Sequence, residues 1–254
     1  MKTETSGSLN RKLIVLAAGL GMTVTLALAG CQGDQKEENQ LLANSTEPET
    51  IAPSDPSYLV EREFWLALAE EPRWHMDTGR DLFQEKKYDL ASIEFAKAAS
   101  ILNFECRHSH SPREEGLLLG SVDELRELSR DLRYREDAEG GLVTLKEMDE
   151  VEARAFRAIA AHQVALARDA LEEGDARTAG ALSRETAHAV EAGFLRSGVE
   201  MGEAMTKELE NAREVGLRMQ LNGDGTRMEG LGVLDDLDAA VRRLGTTVAV
   251  EEPE

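Results

Sequence analysis

The chain is poor in what a small disulfide-bonded or β-rich protein needs. It has two cysteines, six prolines and only 4% aromatic residues in 254 positions. Two cysteines permit one disulfide at most, which excludes a disulfide framework. A core of Leu, Ala, Met and Val with so few aromatics suits helix-on-helix packing and not a sheet sandwich. Positive charge is scarce as well: 29 Lys and Arg stand against 49 Asp and Glu, a net −20. Such a surface is repelled by phosphate backbones, which excludes nucleic acid as a partner and leaves basic protein segments or cations as the attracted species. The strings GxSxG, GxxxxGK[ST], HExxH and CxxC are missing. Adjacent acids such as Glu114-Glu115 and Asp235-Asp236 diverge by about 100° on a helix and do not face one substrate. No enzyme and no cofactor are expected.

What is present begins at the N-terminus. Lys2, Arg11 and Lys12 precede an uncharged run, LIVLAAGLGMTVTLAL, and Ala29-Gly30-Cys31 closes it. A basic start, a short apolar core and small residues make the secretory pattern. Leu28-Ala29-Gly30-Cys31 resembles the lipobox of bacterial lipoproteins. The resemblance implies that residues 1–30 are a signal peptide and that the Cys31 thiol carries the lipid, anchoring the mature chain in the cell envelope. Gln32 stands where an aspartate would retain such a protein at the inner membrane, so the outer membrane is favoured. The rival is an uncleaved span, but the 18 residues from Leu13 to Gly30 sit at the lower edge of bilayer length. Removing three bases and one acid takes the net charge from −20 to −22. With Cys31 lipidated, Cys106 has no partner for an intrachain disulfide.

Residues 31–55 are polar and acidic and include Pro48 and Pro53. They read as a disordered tether, long enough to separate lipid and folded part by roughly 25–30 Å. Residues 56–245 carry helical periodicity, and 246–254 read as a tail. The pattern predicts helices from Pro56 to Pro72, from Trp74 to Glu85 and from Tyr88 to Phe104. A break over residues 106–112 follows. The next helix is expected at Ser121, with Glu124 completing a capping box. After Gly140-Gly141, Thr144 and Glu147 form a second capping box that opens a helix to Glu173. One long helix from near Asp175 is expected to carry the stripe Val190, Phe194, Ser197, Met201, Met205, Leu209, Ala212, Gly216 and Met219. A loop over residues 222–232 then precedes a short helix bearing Leu234, Leu237, Val241 and Leu244. The fold is expected to be an all-α bundle of duplicated antiparallel helix hairpins.

The duplication emerges when the chain is shifted by 88 residues. Residues 74–104 then meet 162–192: Arg80-Asp81 meets Arg168-Asp169, Ala91 meets Ala179, and the turn at Lys86-Lys87 meets Gly174-Asp175. In the first copy, Gly79, Leu82, Tyr88, Ala91, Phe95 and Ala98 have the spacing of a tetratricopeptide motif, which residues 79–102 resemble. The second copy departs from it, with Ala176 and Ser183 in place of aromatics.

One cluster has the chemistry of metal ligands: His75, Cys106, His108 and His110, whose imidazoles and thiol suit zinc or copper. Their spacing matches no zinc-site pattern. His162 and His188 lie near apolar faces and read as partly buried polar residues. Asn222, Asp224, Gly225 and Thr226 look like part of a calcium loop, but Gln220 and Leu231 occupy its first and last ligand positions. The expected function is that of a lipid-anchored, non-enzymatic interaction or scaffold module whose acidic rims attract a basic protein partner. The rival is a metal- or small-ligand-binding bundle.

Overall fold

The computed structural model describes residues 56–107, 109, 111–134, 143–222 and 227–248, and the side chains of these except at 56–65, 67, 222 and 227. They form α1 (Pro56–Gln84), α2 (Tyr88–Cys106), α3 (Pro112–Tyr134), α4 (Leu145–Glu172), α5 (Ala176–Ser197), α6 (Glu203–Asn222) and α7 (Arg227–Thr247). No strand occurs among the described residues, and successive helices pack antiparallel. α1 returns to α5 and touches α4, closing α1–α5, while α7 returns to α4 and α5, closing α4–α7. The α4–α5 pair is common to both groups. Closure of this kind makes a bundle and not an open array. None of these helices is long and apolar enough to cross a membrane.

α4 and α5 can be central because their packing positions are small. Ala153, Ala155, Ala158, Ala160, Ala167, Ala179 and Ala187 are all fully buried. Alanines bring helix axes close, and the remaining space is filled by Phe95, Met76, Leu102, Leu118, Leu125, Phe156 and Leu209.

Four helix boundaries differ from the sequence expectation. α1 runs straight through Pro72, which is buried. An interior proline costs about 3 kcal/mol through a lost hydrogen bond and a clash. Here the buried positions Ala69, Pro72, His75, Met76, Gly79 and Arg80 form one continuous face, so packing on both sides of the proline overrides that cost. In the turn before it, the Ala69 carbonyl accepts a hydrogen bond from Gln163 Nε2 on α4 at 2.9 Å.

α3 begins at Pro112, nine residues before the expected start at Ser121, which is buried in mid-helix with its hydroxyl 3.5 Å from the Arg154 carbonyl. The start is set by Ser111, whose Oγ accepts the Glu114 amide at 3.2 Å, with Pro112 in the first-turn position that tolerates a missing N–H. The long helix from Asp175 is really two. Gly198 adopts a left-handed conformation (φ 69°) that ends α5, and the chain reverses before Glu203. The stripe stays buried across the reversal at Val190, Phe194, Met205, Leu209, Ala212 and Met219, because α5 and α6 then pack on each other. α7 starts at Arg227, so helix replaces the second half of the expected loop. The Thr144–Glu147 capping box is present as expected.

The turns predicted to be equivalent share their backbone. Lys86 (φ 61°) and Gly174 (φ 83°) are both left-handed. Lys87 N–H donates to the Leu82 carbonyl at 2.9 Å, and Asp175 N–H to Ala170 at 2.7 Å. Lys86 N–H donates to Phe83, as Gly174 N–H does to Leu171. Every one of these partners is displaced by 88 residues, the shift that aligned the sequences.

Candidate functional site

α2 is apolar on two sides. Its core face consists of Ala91, Phe95, Ala98, Ala99, Leu102 and Cys106. Leu90, Ile93, Lys97, Ile101 and Phe104 recur at spacings of 3-4-4-3 and so fall on a second stripe, within about 80° of one another and facing away from the first. Leu90, Ile93 and Phe104 are exposed, at 50%, 41% and 38%. An open groove of about 420 Å³ runs over this side, lined by Ile93, Ala96, Lys97 and Ile101 of α2, His75 of α1, and Ser129 and Arg133 of α3. Its edge at α3 is fixed by the Ser129 hydroxyl, which donates to the Ser92 carbonyl at 2.8 Å.

His75 closes the other edge. It is buried, with Nδ1 2.6 Å from Glu94 Oε2 and Nε2 3.4 Å from Glu71 Oε2, and the Trp74 ring meets it edge-on. Glu94 also accepts from Lys97 at 2.7 Å. Burial works to raise the Glu94 carboxyl, but hydrogen bonds from Lys97 and His75 hold it below the usual range. Both imidazole nitrogens thus face carboxylates. Cys106 is buried at the end of α2, its thiol directed to the Glu115 carbonyl at 3.8 Å. Burial, with Glu115 adding to it, pushes that thiol up and away from nucleophilic or ligating character.

His108 and His110 lie outside the described residues, as do Cys31, the Gly140-Gly141 break, and Asp224, Gly225 and Thr226. Among the described residues no group of three or more His, Cys, Asp and Glu is arranged to hold a metal ion. His162 is buried on α4 and His188 half-buried on α5, where burial lowers its pKa, helped by Arg213 and Arg73.

Comparison with protein-family models, with curated proteins and with solved structures returns no match.

Sequence reasoning missed a buried charge network. Glu152 of α4 is fully buried, and its Oε2 receives Arg80 Nε of α1 at 2.9 Å. Arg196 Nε of α5 lies 2.6 Å from the same oxygen, an ion pair without hydrogen-bond alignment. Arg80 also binds Asp149, and Arg196 binds Asp77 at 3.1 Å. Burial raises the Glu152 pKa against the opposing pull of both arginines. The network ties α1 to the α4–α5 pair. The second stripe of α2 was also missed, although its spacing is visible in the sequence. The tetratricopeptide spacing lies on the opposite, core-facing side of the same helix.

Proposed function

We propose that the chain is a non-enzymatic interaction module that docks a partner helix along the outer stripe of α2. One observation carries this reading: a two-faced helix whose second stripe leaves Leu90 and Ile93 exposed and sets Ile93 and Ile101 along an open groove. An amphipathic helix laid into such a groove reads it through i, i+3, i+4 and i+7 anchors. The partner's charge follows from the groove itself. Overall acidity favours basic partners at long range. At contact distance Arg133 lines the groove without a carboxylate partner among the described residues, and it favours an acidic end on the docked helix. The contact of Gly79 with the Phe95 ring, where an added Cβ would stand 2.9 Å from the ring edge, supports treating the α1–α2 hairpin as tetratricopeptide-like. Attachment would be through lipid on Cys31, placing the module at an envelope membrane, the outer one favoured.

A photoreactive residue at Ile101 in intact envelopes tests this. The crosslinked segment should be an amphipathic helix with an acidic end. The same probe at the exposed Glu210 of α6 should not capture it. Identical capture from both positions would remove the groove as the binding site.

A further inference from the structure

Where the start of α3 meets α4 and α7, a cavity of about 80 Å³ is lined by Ser111, Arg113, Glu114, Arg157, Asp238 and Arg242 among others. Three arginines gather there in a chain of net charge −20. The two carboxylates do not neutralise them all. Asp238 is paired with Arg242 at 2.9 Å, and Glu114 lies 3.9 Å from His162 Nδ1. No carboxylate among the described residues pairs with Arg113 or Arg157.

Arg157 is the telling case. Of the described arginines that are buried or half-buried, it alone has no acceptor: Arg73, Arg154, Arg168, Arg184, Arg213 and Arg218, like Arg80 and Arg196, all reach a side-chain oxygen. Its Nε is shut away from solvent without a partner. Its position is built, because the guanidinium lies against α7 at Gly245, where a Cβ would stand 2.7 Å from Cζ and Nε. A larger residue at 245 would displace it. Burial, with the charge of Arg113 adding to it, disfavours the Arg157 cation, a cost that an anion held between the two guanidiniums would offset.

We propose that Arg113, Arg157 and Arg242 bind a small oxyanion of the phosphate class, either free phosphate or the phosphate group of a larger molecule. Guanidinium forks match tetrahedral oxyanions two oxygens at a time. Arg157 is the fixed anchor, Arg113 the second arm from the first turn of α3, and Arg242 a third that shares itself with Asp238. The cavity has room for one such group and not for a nucleoside. The site is separate from the α2 groove and does not depend on the reading of that groove.

Titration calorimetry on the full-length chain in detergent, in a phosphate-free buffer, tests it with inorganic phosphate, glycerol phosphate and acetate. Phosphate should bind saturably and raise the melting temperature, by mass action on the native state. Arg157→Gln should weaken binding by about tenfold or more, worth ~1.4 kcal/mol. Should that variant unfold, Arg113→Gln on the exposed first turn keeps the test. It should weaken binding several-fold while leaving the melting temperature without phosphate unchanged. Arg130→Gln, on the exposed side of α3 and outside the cavity lining, should bind as wild type. Glycerol phosphate binding as well as phosphate would identify a head group, and phosphate alone a free anion. Absence of saturable binding, equal binding of acetate, or indifference to both arginine substitutions would overturn the proposal.

Discussion

Gly180 of α5 and Gly216 of α6 meet backbone to backbone. A Cβ on Gly180 would stand 2.4 Å from the Gly216 carbonyl oxygen, and one on Gly216 2.6 Å from that of Gly180. Neither contact can relax by moving a side chain, so α5 and α6 would have to part. Gly180→Ala should therefore cost ~1–3 kcal/mol, as overpacking does. Gly120→Ala in α3, with nothing within 4 Å of the new atom, should gain about 0.5–1 kcal/mol from helix propensity. Denaturant melts of the two variants should move in opposite directions. A stabilised Gly180→Ala would mean the helices do not pack as described.

The equivalent turns give a second pair of opposite effects. Lys86 holds a left-handed backbone at which a side chain costs roughly 1–2 kcal/mol, while Gly174 holds the same conformation freely. Lys86→Gly should leave stability unchanged or raise it by up to about 1 kcal/mol, the strain relieved being partly offset by the entropy of the unfolded glycine. Gly174→Ala should lower it by about 1 kcal/mol. Two losses in thermal melts would contradict the shared turn geometry.

The class of fold was legible because helix periodicity survives without any tertiary information. Thr144 and Glu147 mark their helix start, and the 88-residue shift found two turns with the same hydrogen bonds. Boundaries failed where tertiary packing outweighed a local signal. Pro72 reads locally as a stop, yet the core face continues through it. Ser121 and Glu124 have the spacing of a cap, but so do Ser111 and Glu114, and Pro112 at the first helical position favours the latter. The stripe from Val190 to Met219 keeps its period across the reversal at Gly198, since two helices packed on each other each present apolar residues at helical spacing. The charge network of Arg80, Glu152 and Arg196 was not legible at all. Its members are 44 or more positions apart, and nothing local distinguishes a buried glutamate from a solvated one.

Glu105 on α2 makes stability depend on pH. Burial raises its carboxyl from 4.5 to about 8. The native state therefore keeps this proton over a range in which the unfolded chain has released it. Its contribution is fully present below pH 4.5 and is lost as pH rises towards 8, at up to roughly 1.4 kcal/mol per unit. Glu105→Gln should match wild type near pH 4 and exceed it near pH 8 in denaturant melts. Parallel stability curves for the two proteins would show that Glu105 is solvated.

The buried network should respond to loss of its centre more than surface pairs do. Glu152→Ala leaves Arg80 and Arg196 without their shared carboxylate and should cost about 3–5 kcal/mol. Glu124→Ala, which breaks the half-buried pair with Arg154 at 2.8 Å, should cost ~1 kcal/mol or less. Equal costs in chemical denaturation would mean that Glu152 is not the link between α1 and the α4–α5 pair.

Docking on α2 is tested most directly by the affinity of the segment crosslinked at Ile101, made as a peptide and titrated against the full-length chain. Ile93→Asp places a charge in the apolar stripe, and Arg133→Glu reverses the charge that meets the acidic end. Both positions are exposed, so neither change should shift the melting temperature appreciably. Each should weaken binding by about tenfold, or ~1.4 kcal/mol. Affinity unchanged in both variants would contradict a helix-docking role for the outer face of α2.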